Sequence, residues 1–212
     1  MKKDSVILFV IAFILFCQTA CSRIATTKLP KEMTFEQDVT FLEKHVDVIT
    51  LDQGPGKPKV AIVPAYQGRV MTSTVGGSKS PSHGWINREL IEAGRNNPHI
   101  NAYGGEDRFW LGPEGGQFSI FFKKGDPFDL EHWQTPVLID TQPYEVITKK
   151  EREVTFRHEA KIKNYSDTDF FIRIDRTVRL LDRSRIDNLL GLKLSPAIDV
   201  VGYESQNILT NI

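Results

Sequence analysis

The segment from Gly104 to Gln117 (Gly-Gly-Glu-Asp-Arg-Phe-Trp-Leu-Gly-Pro-Glu-Gly-Gly-Gln) sets Glu106, Asp107, Arg108, Trp110 and Glu114 among glycines. Regular elements disfavour that mixture, because glycine loses the most backbone freedom on ordering. Where glycines cluster around charged and aromatic side chains, the backbone turns tightly to aim them. Carboxylates, a guanidinium and an indole are the groups a sugar site uses: hydrogen bonds for the hydroxyls, an aromatic face for the apolar side of the ring. The segment also exceeds an ordinary connection of about 4–6 residues. The competing reading is a structural loop in which Arg108 pairs with a neighbouring carboxylate.

Opening an aldose ring needs a base for the anomeric hydroxyl and an acid for the ring oxygen, on opposite sides of the sugar. Glu106, Asp107 and Glu114 supply carboxylates. Glu106 and Asp107 are adjacent, however, and strand-like alternation points adjacent side chains apart. Asp107 with Arg108 reads better as a salt bridge or a clamp on sugar hydroxyls. Trp110 and Trp85 are the aromatic candidates for stacking. Of the five histidines, His83 and His99 flank the segment as candidate acids, and His158 lies on the apolar face of a strand, where burial beside a partner is expected. No His-Glu-x-x-His or other metal spacing occurs. Neither a phosphate-cradling loop nor a Ser-His-Asp arrangement can be argued, so no cofactor is expected.

The elements that must position these groups begin with an address. Lys2 and Lys3 precede an unbroken apolar run from Val6 to Phe16, shorter than the roughly 20 residues needed to span a bilayer. It has the length of a secretory signal core. Thr19-Ala20-Cys21 resembles the lipobox of bacterial lipoproteins, with Gln18 where that pattern has an aliphatic residue. The reading is a signal over 1–20, Cys21 as the lipidated mature N-terminus, and a polar tether over 21–33. Localisation follows: the bacterial cell envelope, anchored by lipid to the outer membrane. Cys17 leaves with the signal, so no disulfide framework is possible.

Twenty-seven basic and twenty-seven acidic residues balance to zero. There is no basic stripe for nucleic acid. After the signal about 190 residues remain, the size of one domain. Thr34 and Gln37 spell a capping box, and Phe35, Val39, Leu42 and Val46 follow at helical spacing. Strands are then expected at Val60–Val63, Arg69–Val75, Phe118–Lys123, Pro136–Ile139 and Tyr144–Thr148. Val154, Phe156, His158, Ala160 and Ile162 share one face of the next. Phe170, Ile172, Ile174, Thr177 and Leu180 suggest a long strand with a slip in register, and Asp199–Leu209 is the last. Many strands between Gly, Pro, Asn and Asp turns predict an all-β sandwich or barrel, with 34–212 as part of one domain. The chain's last residues read as a strand cut inside a larger sheet.

Three motifs carry a resemblance: Gly84-Trp85-Ile86-Asn87, His99 to Trp110, and Gly112 to Gln117. They resemble a family of bacterial lipoproteins of unassigned function built on the galactose-mutarotase-like β-supersandwich, whose members are about twice this length. Aldose 1-epimerases, relatives of that fold, carry an Asn-Arg pair and a downstream His-Gly-Gly, whose Arg and His contact the sugar. Asn87-Arg88 resembles the first, and Tyr103-Gly104-Gly105 the second with Tyr for His. The epimerase acid follows a Leu-Thr-Asn-like strand; here Leu209-Thr210-Asn211 is followed by Ile212, the last residue. The resemblance implies a carbohydrate ligand for Asn87, Arg88, Tyr103, Glu106, Asp107, Arg108, Trp110 and Glu114. Asn87, Arg88, Glu106, Asp107, Arg108 and Trp110 are expected to line one concave surface. It leaves two functions open: an isomerase or other enzyme acting on a sugar's anomeric centre, or a non-catalytic glycan-binding or structural lipoprotein.

Overall fold

The computed structural model describes residues 32–212. The signal, Cys21 and most of the tether lie outside the described residues. The first helix, α1 (Phe35–Glu43), starts where the capping box places it: the Thr34 side chain accepts from the Gln37 backbone, and the Gln37 side chain accepts from the Thr34 backbone. Its apolar stripe brings Phe41 and Leu42 inward.

Two antiparallel sheets follow. The first holds β1 (Ile49–Asp52), β2 (Lys59–Val63) and β3 (Arg69–Thr74) in that order. Every residue of β2 and β3 is buried, because both faces are covered. Val60, Ile62 and Val70 pack towards the second sheet, while Val63 and Met71 pack towards α1. This explains the continuous apolar run of Val60 to Val63, which lacks the alternation of a strand with one face in water.

The second sheet holds β4 (Glu145–Lys149), β5 (Glu153–Lys163), β6 (Asp169–Leu180) and β7 (Tyr203–Asn211) in chain order. Val154, Phe156, Ile172, Ile174, Val178 and Leu180 form its inner face and share one core with the first sheet. Burying an aliphatic or aromatic side chain of this kind contributes about 1.5–3 kcal/mol, so this shared core is the main bond between the layers. The architecture is all-β and sandwich-like, with a short N-terminal helix, as the strand pattern predicts.

Several local expectations are corrected. β5 and β6 pair residue for residue from Glu153↔Arg179 to Lys163↔Asp169, without a slip. The inward row of β6 runs Ile172, Ile174, Arg176, Val178, Leu180, so the apparent slip was an arginine at an inside position. Phe118–Lys123 is not a strand: Phe121 and Phe122 are both buried in succession, and the Phe121 carbonyl takes one isolated bond, from Gln134. Pro136–Ile139 is a single 3-10 turn over Val137–Ile139, with Pro136 as its N-cap. The last strand begins at Tyr203 rather than Asp199. Short helices α2 (Arg88–Ala93) and α3 (Arg183–Leu190) also lie between strands. Asn87 and Asp182 cap them by accepting from backbone N–H groups.

Candidate functional site

The glycine-rich segment does not alternate like a strand where it meets β3. The backbone N–H groups of Glu106 and Asp107 both donate to the Val70 carbonyl, at 2.8 and 3.4 Å. The Val70 N–H donates back to Asp107, at 3.0 Å. Two residues opposing one is the pattern of a β-bulge, a device that re-aims side chains. Gly104 and Gly105 lead into it at φ 91° and 102°, values L side chains rarely adopt. A Cβ on Gly104 would meet the Trp85 carbonyl oxygen at 2.2 Å, and one on Gly105 the Val70 carbonyl oxygen at 2.7 Å.

The bulge sends both carboxylates towards the same strand. Glu106 Oε1 accepts from the Ser73 N–H at 2.7 Å and the Ser73 hydroxyl at 3.0 Å, and its charge lies near the Tyr203 phenol. Asp107 pairs with Arg176 and lies 3.5 Å from the Ser205 hydroxyl. Tyr203 and Ser205 are two apart on β7, so they share a face. The expectation that Glu106 and Asp107 point apart therefore fails. Burial, then the charges of Glu106 and Asp107, push the Tyr203 phenol far above its ordinary range.

Arg176 has no exposed side-chain surface. Its three nitrogens are all used: Nε donates to the Gly68 carbonyl at 3.0 Å, Nη1 to Asn207 Oδ1 at 2.9 Å, and Nη2 to Asp107. Asp107 thus pairs with Arg176 rather than with its neighbour Arg108. Nothing in a segment-by-segment reading named Arg176, Tyr203, Ser205, Asn207 or Ser73. The available signal was the one charge in the inward row of β6.

Behind this edge lies a second cluster of cations. Arg69 is 2% exposed; its Nη1 donates to the Gly104 carbonyl at 2.9 Å, while Nε and Nη2 have no protein partner. Burial, then repulsion from Arg108, pulls Arg69 down to about 10. Arg108 donates to the Ile139 carbonyl at 2.7 Å and stacks on Trp110, 4.1 Å from the ring centroid. Burial likewise lowers it. Asp140 is the carboxylate that offsets both charges, held by the Asn101 backbone and side chain. Tyr144 is stacked on His158 with ring centroids 5.1 Å apart. His158 is half-buried, lowered by burial, and bonded to Gln142 Oε1 at 3.0 Å.

The remaining predicted residues separate. Trp110 gives one face to Arg108 and its indole N–H to Glu114, at 2.8 Å. Asn87 caps α2 and donates to the Ala102 carbonyl. Arg88 pairs with the buried Asp38 and covers the Phe41 ring, on the α1 side of the first sheet. Tyr103 is buried there too, stacked on Tyr66 and bonded to Asn96. His99 bonds the Trp133 carbonyl and Gln134, and His83 is exposed beside Ser73. Trp85 is 64% exposed, its ring against the bare backbone of Gly104. Among the described residues no group of three His, Cys, Asp or Glu side chains could hold a metal.

The family description DUF6786, a family of unknown function, matches residues 33–212. The chain belongs to that family. No curated protein and no solved structure matches it.

Proposed function

We propose that the protein is a carbohydrate-recognising lipoprotein, anchored in the bacterial envelope through Cys21 and built on a mutarotase-like supersandwich. The convergence of Glu106 and Asp107 on the inner row of β7 carries this reading. Two half-exposed carboxylates, a phenol, a hydroxyl and an amide along one edge are the convergent polar groups by which a site orients a hydroxyl-rich ligand. The exposed Trp85 ring, on the strand-like segment paired with Tyr103–Gly105, offers an apolar face nearby.

Recognition is favoured over chemistry at the anomeric centre. Asp107 is neutralised by Arg176, and Glu106 is held by the backbone and hydroxyl of Ser73. Groups so engaged are suited to accepting hydrogen bonds at fixed positions. Isothermal titration of the chain against neutral oligosaccharides tests the reading. Glu106→Gln, which keeps the bond from the Ser73 N–H, is expected to abolish glycan binding while the fold remains. Unchanged binding in that variant excludes this edge as the site. The anchor has its own test: Cys21→Ser is expected to lose labelled fatty acid and leave the membrane fraction.

A further inference from the structure

A groove of about 530 Å³ opens between the turn after Ser119, the turn before Val137, and the β5–β6 connection. Its floor is apolar and fixed. Phe121 and Phe122 are buried, and Pro136 and the half-exposed side of Val137 continue the apolar wall. The polar groups of that wall are engaged: Thr135 accepts from the Trp133 indole at 3.1 Å, and Asn164 Oδ1 accepts from the Thr168 N–H at 2.9 Å.

The rim has the opposite character. Lys123, Lys124 and Lys163 line it with Asp167, and Asp169 lies 3.4 Å from Lys163, so three ammonium groups face two carboxylates. Asp167 sits in the left-handed region at φ 70°, an uncommon state for a residue with a side chain. There its carboxylate lies 2.7 Å from Lys163 and 3.7 Å from Lys124. Lys123 pairs with no carboxylate among the described residues. The groove therefore combines an apolar body with surplus positive charge. Its volume falls in the range of about 300–1,000 Å³ typical of small-molecule sites.

We propose that this groove binds a small organic anion with an apolar body, such as an aromatic or short-chain carboxylate, sulfonate or phosphate. The apolar portion covers Phe121, Phe122 and Val137, and the anionic group meets Lys123 and Lys124. The site is separate from the Glu106–Asp107 edge and does not depend on the carbohydrate reading.

Isothermal titration of the full chain with naphthalene-1-sulfonate, naphthalene-1-sulfonamide and methanesulfonate tests both halves of the claim. The aromatic sulfonate is expected to bind with a negative heat-capacity change, the mark of apolar burial. The uncharged sulfonamide is expected to bind about tenfold more weakly, as loss of two exposed charge contacts implies. Methanesulfonate, which lacks the apolar body, is not expected to bind. Lys123→Gln combined with Lys124→Gln should bring the sulfonate down to the level of the sulfonamide, and Val137→Asp should weaken the sulfonate most. Equal binding of sulfonate and sulfonamide, insensitivity to the lysine substitutions, or no binding of the sulfonate overturns the proposal. So does light scattering that shows a dimer which Val137→Asp dissociates.

Discussion

Arg176 is completely buried, yet the carboxylate that neutralises it, Asp107, is about three-tenths exposed. The ion pair therefore runs from the interior of the sandwich to its surface. It joins β6 to the glycine-rich segment and, through Gly68 and Asn207, to the start of β3 and to β7. One guanidinium fixes three parts of the chain that are distant in sequence.

That arrangement predicts an asymmetry between the two adjacent acids. Asp107→Ala strands a buried cation, and breaking one side of a buried pair costs about 3–5 kcal/mol. Glu106→Gln removes no partner from a buried charge and keeps an oxygen for Ser73, so its cost is expected near 1 kcal/mol. Urea unfolding of the two variants measures the difference. Equal losses would show that Arg176 does not depend on Asp107.

Gly104→Ala is expected to destabilise by about 1–3 kcal/mol through its left-handed backbone, with a further loss from the approach to the Trp85 carbonyl. The clash displaces the bulge, so glycan binding at Glu106 and Asp107 should fall beyond what the stability loss explains. Thermal unfolding and titration of the same variant separate the two effects. A fully stable Gly104→Ala would mean that the turn can be remade without glycine.

His158 gives the fold a pH dependence. Burial lowers its folded-state affinity for protons, while in the unfolded chain it titrates near 6.5. The unfolded state therefore binds more protons in that window, and stability rises with pH. The contribution is complete above about 6.5 and is lost as pH falls through the lowered folded value. His158→Phe keeps a ring against Tyr144 but cannot titrate, so denaturant midpoints of this variant should change less between pH 7 and pH 5 than those of the native chain. An identical pH profile would place the titrating group elsewhere.

The parts of this fold written in local sequence were legible. Thr34 and Gln37 announced α1, because a capping box is satisfied within four residues. The Val60–Val63 run and the alternation of Val154 and Phe156 announced strands, because each face's environment repeats along the element. What failed was non-local. Phe118–Lys123 has strand-like residues, but no neighbouring strand takes up its backbone groups. Asn87 and Arg88 have the residue types of a sugar site, yet Asn87 caps α2 three residues on, and Arg88 pairs with Asp38, a partner that appears only when the chain folds. The site was half legible. Glycines among charges marked the segment, but the Val70 bulge and the β7 row that make Glu106 and Asp107 converge lie outside it.

Asn87 makes the distinction between cap and ligand contact measurable. Its Oδ1 accepts from the Leu90 N–H at 3.1 Å, and replacing such a cap by alanine costs about 1 kcal/mol. Serine caps comparably but cannot reach where an amide reaches. Asn87→Ser should therefore keep most of the stability, losing only the exposed bond to the Ala102 carbonyl, and glycan binding should also survive if capping is the residue's role. Lost binding with intact stability would return Asn87 to the ligand site.

Trp85 is the residue whose exposure the fold least explains. At 64% exposed it contributes little to the core, and surface substitutions away from caps, cores and charge networks change stability by about 0.5 kcal/mol or less. Its ring nevertheless lies against Gly104, a position that only a residue without a side chain leaves open. An aromatic face kept in water beside a carboxylate-rich edge suits the apolar side of a sugar ring, and aromatic stacking adds about 0.5–1.5 kcal/mol. Trp85→Ala should thus leave the unfolding midpoint near that of the native chain while weakening oligosaccharide binding by about threefold to tenfold. Trp85→Phe should recover part of the loss. A large fall in stability with no change in binding would make the indole a structural cover for the glycine turn, and the ligand would then be held by the polar edge alone.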